Sequence, residues 1–85
     1  MKYKRPIVLS IAGFDPTGGA GVLADVKTCE QHRCLGMAVL TANTNQTETA
    51  FLSVDWFDKQ VILAQLQPIL DTYEISAVKI GIVEN

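Results

Sequence analysis

Short apolar runs alternate with amphipathic stretches along the chain. The first run, Ile7–Ala12, is almost wholly apolar and rich in β-branched residues, and Gly13 closes it. Such a run is typical of a strand that is buried on both faces. A second run of this kind is Met37–Ala42, and a shorter third one, Ala77–Ile80, is closed by Gly81. The three runs predict three strands.

The stretches between these runs predict two helices. An apolar stripe from Val22 to Cys29 indicates a helix that begins near Gly19, with Gly36 as a suitable residue to end it. Asp55 is a suitable N-terminal cap for the second helix, which we expect to begin near Trp56. Pro68 removes a backbone donor inside that helix and should kink or split it.

This order of elements predicts an α/β fold. Strands that alternate with helices indicate a βαβαβ unit with a three-stranded parallel sheet, and 85 residues allow one domain. In such sheets, ligands bind at the carboxyl ends of the strands. Three segments meet there: Gly13–Gly21, the polar run Asn43–Glu48, and Gly81–Asn85. We therefore expect any site to be built from these three segments.

Charge and composition argue against nucleic acids and membranes as partners. The formal net charge is −2, and three of the seven basic side chains lie within the first five residues. The remaining sequence carries four basic and nine acidic side chains, so no basic face is left to neutralise phosphates. No apolar run approaches the about 20 residues of a membrane span, and no secretory signal is recognisable. We expect a cytoplasmic protein without a nucleic-acid or membrane partner.

Two cysteines and the single histidine raise the question of a zinc site. Cys29, His32 and Cys34 are close in sequence, but by themselves they cannot supply the four ligands of a structural zinc ion. We interpret both cysteines as small thiols in a reducing compartment and expect no metal site in this chain.

Four of the six glycines fall within nine residues, Gly13–Gly21. A nucleotide P-loop is excluded there, because Gly19 and Ala20 stand where its lysine and hydroxyl residue would be. A dinucleotide-binding fingerprint through Gly19–Ala24 is only weakly supported. It does not follow the predicted strand directly, and no acidic side chain ends the second strand.

A third interpretation treats the same glycine-rich segment as a cradle for a substrate. Glycines permit close approach of the backbone, and the N–H groups at the start of a helix favour an anion or a polar ring. The alternative is a turn that merely joins strand to helix, but four glycines in nine residues exceed that need. Asp25, on the second helical turn, could accept from an amino or hydroxyl group of a ligand. From spacing alone, a solvated charge paired with Lys27 or Arg33 is the better interpretation of Asp25.

Several sequence blocks together resemble a known family. These blocks are Ser10–Gly21 followed by Ala24–Thr28, then Gly36–Ala42 with Gln46, and finally Ala77–Gly81. In order and spacing they are similar to the N-terminal signatures of hydroxymethylpyrimidine/phosphomethylpyrimidine kinase, a family of the ribokinase-like superfamily. The resemblance covers essentially the whole chain, which makes it far more specific than a lone glycine motif.

The resemblance implies an activity and a set of site residues. The implied activity is ATP-dependent phosphorylation, in thiamine biosynthesis, of 4-amino-5-hydroxymethyl-2-methylpyrimidine and then of its monophosphate. An aminopyrimidine offers ring-nitrogen acceptors and an amine donor. A glutamine side chain can donate to a ring nitrogen and accept from the amine. The residues that match family positions around the pyrimidine are Gly13, Ala20, Asp25, Thr44 and Gln46.

Two departures from the family pattern qualify what is implied. After Gly81 the family usually has methionine and leucine, where this chain has Ile82 and Val83. Family members also run well past 85 residues, and the further part carries the general base, the anion hole and the nucleotide pocket. The resemblance therefore implies that residues 1–85 are a single N-terminal segment of an incomplete ribokinase-like kinase domain. ATP and Mg²⁺ would bind elsewhere in the complete enzyme, and this chain alone would be inactive.

Other functions stay open beside this one. Members of the same family phosphorylate pyridoxal or pyridoxine, so a vitamin B6 kinase is the nearest alternative. A non-catalytic module that holds a pyrimidine, or that only works with a partner chain, is an alternative from a different class. Because the family commonly forms dimers, a homodimer of the complete enzyme is also implied.

Overall fold

The chain folds into one four-stranded sheet with two helices, in a computed structural model that describes residues 5–84. The strand order is β3-β2-β1-β4; β1 pairs in parallel with β2 and with β4, and β3 pairs antiparallel with β2. The α/β class and the three parallel strands are confirmed, but the sheet has a fourth strand that the sequence did not predict. The elements are β1 (Ile7–Phe14), α1 (Gly21–Gln31), β2 (Leu35–Gln46), β3 (Phe51–Trp56), α2 (Lys59–Thr72) and β4 (Ala77–Ile80).

The fourth strand, β3, occupies the place predicted for the start of the second helix. Asp55 lies within β3, opposite Asn43, and not at a helix N-terminus. Asp58 caps α2 instead, since its side chain accepts from the backbone N–H of Val61 at 3.0 Å. The helix then continues through Pro68 to its end, so the split considered at that position does not occur. Asp55 and Asp58 both resemble a helix cap in sequence. Only the pairing of β3 with β2 shows that Asp58 is the cap.

The first helix also ends earlier than predicted. It stops at Gln31, and Arg33 adopts a left-handed φ of 62°, a conformation that commonly ends a helix. Gly36 belongs to β2 and does not cap the helix, which corrects the prediction. A Cβ at Gly36 would lie 3.0 Å from the Cα of Val26. Glycine there lets α1 pack closely on the sheet.

The core lies between α1 and the two central strands. α1 packs on β1 and β2, whereas α2 buries no residue fully and all four residues of β4 are exposed. Within residues 5–84, no helix is long and apolar enough to cross a membrane. The buried apolar side chains are Ile7, Leu9, Ala12, Val22, Val39 and Ala42.

A β-bulge in β2 changes which side chains face the buried side of the sheet. The register against β1 slips at Thr41, which lies between the partners of Ala12 and Gly13. Side chains alternate along a strand, and an extra residue reverses the alternation. Buried positions in the second half of β2 are accordingly odd-numbered up to Thr41 and even-numbered from Ala42 to Thr44. The bulge thus turns the even-numbered side chains at the end of β2 inward.

The glycine-rich loop between β1 and α1 folds back on its own strand. Phe14 and Gly21 form an antiparallel bridge that closes the loop. Gly21 has a φ of 65°, and a Cβ at this position would overlap the carbonyl oxygen of Gly13. Inside the loop, the Oδ1 atom of Asp15 accepts from the backbone N–H of Thr17 at 2.9 Å and from its hydroxyl at 2.8 Å. The loop is therefore a braced structure and not a loose connection.

A side-chain amide fills a gap on the outer edge of β2. Pairing with β3 begins only at Ala42, so the backbone of Leu40 has no strand neighbour on that side. The Gln65 amide of α2 replaces the missing peptide: its Oε1 accepts from the Leu40 N–H at 2.8 Å, and its Nε2 donates to the Leu40 carbonyl at 2.9 Å. This double hydrogen bond attaches α2 to the sheet.

Replacing this amide should destabilise the fold. We expect Gln65→Ala to lower the free energy of unfolding by about 1–3 kcal/mol, because it leaves both backbone groups of Leu40 without their partner. Gln67→Ala is the matched control, since Gln67 is exposed and only donates to Asp71 on the same helix; its effect should stay within about 0.5 kcal/mol. Denaturant unfolding of both variants measures the difference. Equal effects would show that the Gln65 contact contributes nothing specific.

The closed loop predicts a sharp difference between two neighbouring glycines. Gly21→Ala should lower the free energy of unfolding by more than about 2 kcal/mol, because it combines a disfavoured positive φ with overlap of backbone atoms. Gly19→Ala should be tolerated within about 0.5 kcal/mol, since a Cβ there meets its neighbours at an ordinary 3.5 Å. Thermal and denaturant melts compare the two variants. A Gly21→Ala protein as stable as the Gly19→Ala protein would contradict this account of the loop.

Candidate functional site

A cavity of about 210 Å³ opens at the carboxyl ends of the parallel strands. The three segments expected from the sequence all contribute to it: the glycine-rich loop, the end of β2, and the residues directly after β4. Asn85, the end of the third segment, lies outside the described residues. The residues that line the cavity are Ala12, Gly13, Asp15, Ala20, Gly21, Thr44, Gln46, Lys79, Gly81 and Ile82.

Four of the five residues singled out from the sequence line this cavity. They are Gly13, Ala20, Thr44 and Gln46. The fifth, Asp25, lies on α1 and is not among the lining residues of the cavity. The structure therefore brings together the two ends of the glycine-rich loop and the end of β2. It leaves Asp25 outside the cavity wall.

Thr44 and Gln46 form the polar wall of the cavity. Thr44 is only 5% exposed; its hydroxyl donates to the carbonyl of Phe14 at 2.7 Å and accepts from Nε2 of Gln46 at 2.7 Å. Both residues belong to β2, so the polar run is partly strand and not wholly loop. Being two positions apart, they share one side of the strand. The side-chain amide of Gln46 is thereby oriented, with its carbonyl oxygen available as an acceptor.

The start of α1 forms the opposite part of the wall. Ala20, at the N-cap, provides no side-chain acceptor for the first N–H groups of the helix. The buried carboxylate of Asp15 lies close by. The N–H and hydroxyl of Thr17 hold the pKa of Asp15 below its usual value against the opposing effect of burial, and the N–H groups of Ala20 and Gly19 add to this. At neutral pH the carboxylate is thus ionised and accepts hydrogen bonds from its own loop.

Asp25 is engaged by groups other than those expected. Its Oδ2 atom accepts from the Ser10 hydroxyl at 2.7 Å, and Lys79 of β4 donates to Oδ1 at 3.0 Å and to Oδ2 at 2.9 Å. The interpretation of a solvated charge paired with Lys27 or Arg33 is therefore wrong. Burial acts to raise the pKa of Asp25, but the hydrogen bonds from Ser10 and Lys79 outweigh it and the pKa is lowered.

Sequence reasoning missed two charged residues of the cavity wall. Asp15 was counted only as part of the glycine-rich loop, although an aspartate two residues before a threonine is a common local hydrogen-bonding pattern. Lys79 was counted only as part of a strand. No local signal could identify its partner, because Asp25 lies 54 positions away in sequence. Ile82, which stands where the family usually has methionine, covers Gly13 with a Cδ1 atom 3.1 Å from where a Cβ would be.

Comparison with known proteins gives consistent relatives. A hydroxymethylpyrimidine/phosphomethylpyrimidine kinase of Saccharomyces cerevisiae is 44% identical over 78 residues, which are 92% of this chain and 14% of that protein. The enzyme of the same description from Aquifex aeolicus is 40% identical over 79 residues, 93% of this chain and 31% of that protein. The chain thus spans less than a third of the length of these curated relatives.

Solved structures show the same likeness in three dimensions. The phosphomethylpyrimidine kinase of Clostridium difficile 630 superposes with a TM-score of 0.89 at 37% identity, over 95% of this chain and 35% of that one. The pyridoxal kinase of Staphylococcus aureus superposes with a TM-score of 0.86 at 31% identity, over 98% of this chain and 30% of that one. The expected ribokinase-like kinase fold is confirmed by these neighbours.

The family model described as phosphomethylpyrimidine kinase matches residues 15–85. This range begins at the buried aspartate of the glycine-rich loop and includes β2, with its bulge, and β4. The chain therefore belongs to the phosphomethylpyrimidine kinase family.

Proposed function

We propose that this chain is the N-terminal, substrate-binding segment of an ATP-dependent hydroxymethylpyrimidine/phosphomethylpyrimidine kinase of thiamine biosynthesis. Residues 1–85 are then one segment of an incomplete kinase domain, and the complete enzyme acts in the cytoplasm as a homodimer. The observation that carries this proposal is the oriented amide of Gln46, which lies on the wall of a small cavity at the carboxyl ends of the strands.

The size and chemistry of the cavity support a single-ring ligand. Its volume of about 210 Å³ is below the about 300–1,000 Å³ that is usual for drug-sized ligands. Ala12 and Ile82 give it apolar surface that suits the faces of an aromatic ring. The amide of Gln46 can accept from the exocyclic amine and donate to a ring nitrogen.

In the described part of the chain, the side chains do not gather into a Mg²⁺ site. Among residues 5–84, no group of three or more His, Cys, Asp or Glu side chains gathers in a way that could hold a metal ion. In the carboxylate of the cavity wall, Asp15, the Oδ1 atom already accepts from the N–H and the hydroxyl of Thr17. ATP and Mg²⁺ would therefore bind to other parts of the complete enzyme. In phosphoryl transfer most of the catalysis is positioning, and this segment positions the acceptor.

A second candidate, a vitamin B6 kinase, is favoured by one observation. The pyridoxal kinase of Staphylococcus aureus matches nearly the whole chain with a TM-score close to that of the pyrimidine kinase. Both substrates are small aromatic rings that carry a hydroxymethyl group, so the cavity wall described above suits either. The exocyclic amine is the distinguishing group, because an amide carbonyl such as that of Gln46 accepts from it.

Phosphorylation assays test the proposal. The protein encoded by the full reading frame that contains these residues should phosphorylate the hydroxymethylpyrimidine and its monophosphate with ATP, and should prefer them to pyridoxal. The 85-residue chain alone should bind substrate without turnover, because it contributes only the acceptor side. A preference for pyridoxal would favour the second candidate. Binding without turnover by the full-length protein would favour a non-catalytic module. Sedimentation of the same preparation reports whether it is a dimer.

Gln46 gives a residue-level prediction for the same protein. Gln46→Ala should weaken binding of the aminopyrimidine by roughly five- to a hundred-fold, because a hydrogen bond inside a desolvated site contributes about 1–3 kcal/mol. Asn45→Ala is the matched control: Asn45 is exposed, faces the other side of β2 and donates to Ser53, so the affinity should not change. Calorimetric titration measures the affinities, and a denaturant melt measures the stability of each variant. Equal affinities of both variants would remove Gln46 from the site.

A further inference from the structure

A three-residue network connects the cavity to the interior of the segment. Ser10, only 3% exposed on the central strand, donates to the carboxylate of Asp25 on α1. Lys79 on β4 donates to both oxygens of the same carboxylate, at 3.0 and 2.9 Å. The carboxylate thus accepts three hydrogen bonds from two other elements of the fold. Few acceptor sites remain on it for a ligand, because a carboxylate has about four.

The two charged members of this network differ in their access to the cavity. The side chain of Asp25 is 20% exposed and that of Lys79 is 55% exposed. Lys79 lines the cavity, whereas Asp25 is absent from its lining residues, and Lys79 is the cationic side chain among them. These positions reverse what the family resemblance implies: Lys79 lines the cavity, and Asp25 lies behind it.

The chemistry of a lysine makes this arrangement functional. An ammonium group has three N–H donors on a flexible stem, so it needs an anchor to hold a fixed position. Among residues 5–84, the ammonium of Lys79 donates to the two oxygens of Asp25, which leaves its third N–H for another acceptor.

We infer that Lys79 contacts the substrate, donating a hydrogen bond to a ring nitrogen or to the hydroxymethyl oxygen, and that Asp25 is a positioning residue that acts through Lys79. This inference rests on the proposed pyrimidine-binding function of the same cavity. It assigns Asp25 a different role from direct contact with the ligand, and it adds Lys79 to the site.

A double-mutant cycle on the protein of the full reading frame tests the inference. The variants are Lys79→Met, Asp25→Asn and the double variant, each titrated with the hydroxymethylpyrimidine. We expect Lys79→Met to weaken binding about ten-fold or more and Asp25→Asn by a smaller factor. In the double variant, binding should match that of Lys79→Met alone, because Asp25 acts only through the lysine.

The outcomes separate this inference from the proposed function. If Asp25→Asn weakens binding as much in the Lys79→Met background as in the wild type, Asp25 contacts the ligand itself and the inference is overturned. Unchanged affinity of Lys79→Met overturns it as well, while wild-type binding keeps the proposed function. A wild-type protein that binds no pyrimidine removes both.

Two further variants guard against an effect on folding alone. Lys27→Met removes a cation from the exposed side of α1, near Gly18 but away from the cavity lining, and should leave the affinity unchanged. Lys79→Arg keeps the cation and serves if Lys79→Met does not fold; its binding should fall further when Asp25→Asn is added. Denaturant melts accompany every titration. A Lys79→Arg protein that is insensitive to Asp25→Asn would also overturn the inference.

Discussion

The parallel pairing of β1 with both of its neighbours is the interaction on which the rest of the structure depends. β1 lies inside the sheet, between β2 and β4. Its carboxyl end continues into the glycine-rich loop, the end of β2 lies beside it, and the backbone N–H of Gly81 donates to Ile11 at 2.8 Å just after β4. The three segments of the cavity wall are therefore brought together by one strand, and a loss of register in β1 would separate all of them.

Much of this arrangement is predictable because it is local or periodic. The runs Ile7–Ala12 and Met37–Ala42 are apolar because β1 and β2 lie inside the sheet. Together with the shorter run Ala77–Ile80 they identify the carboxyl edge of the sheet. The polar residues after the second run then mark the cavity. The position of the tight loop can also be predicted from the sequence, since its glycines occur where the chain reverses direction.

The missed features have tertiary causes. β3 is an edge strand whose residues are mostly exposed, so it lacks an apolar run and its aspartate resembles a helix cap. The bulge at Thr41 depends on how β2 pairs with β1, and the residue type at that position does not indicate it. The pair of Asp25 and Lys79 joins α1 to β4 across 54 positions. Each of these features depends on which elements become neighbours, and a pattern along the chain does not contain that information.

The exposed strand β4 has a consequence for the energetics of the whole segment. Within residues 5–84, its outer edge pairs with no strand, and Val78 and Ile80 are more than half exposed. An edge of this kind is a template for another strand, from the same chain or from a second one. Any strand that binds there stabilises the folded form by mass action. The apparent stability of the segment is thus a property of its surroundings as well as of its sequence, and it rises with the concentration of whatever completes the sheet.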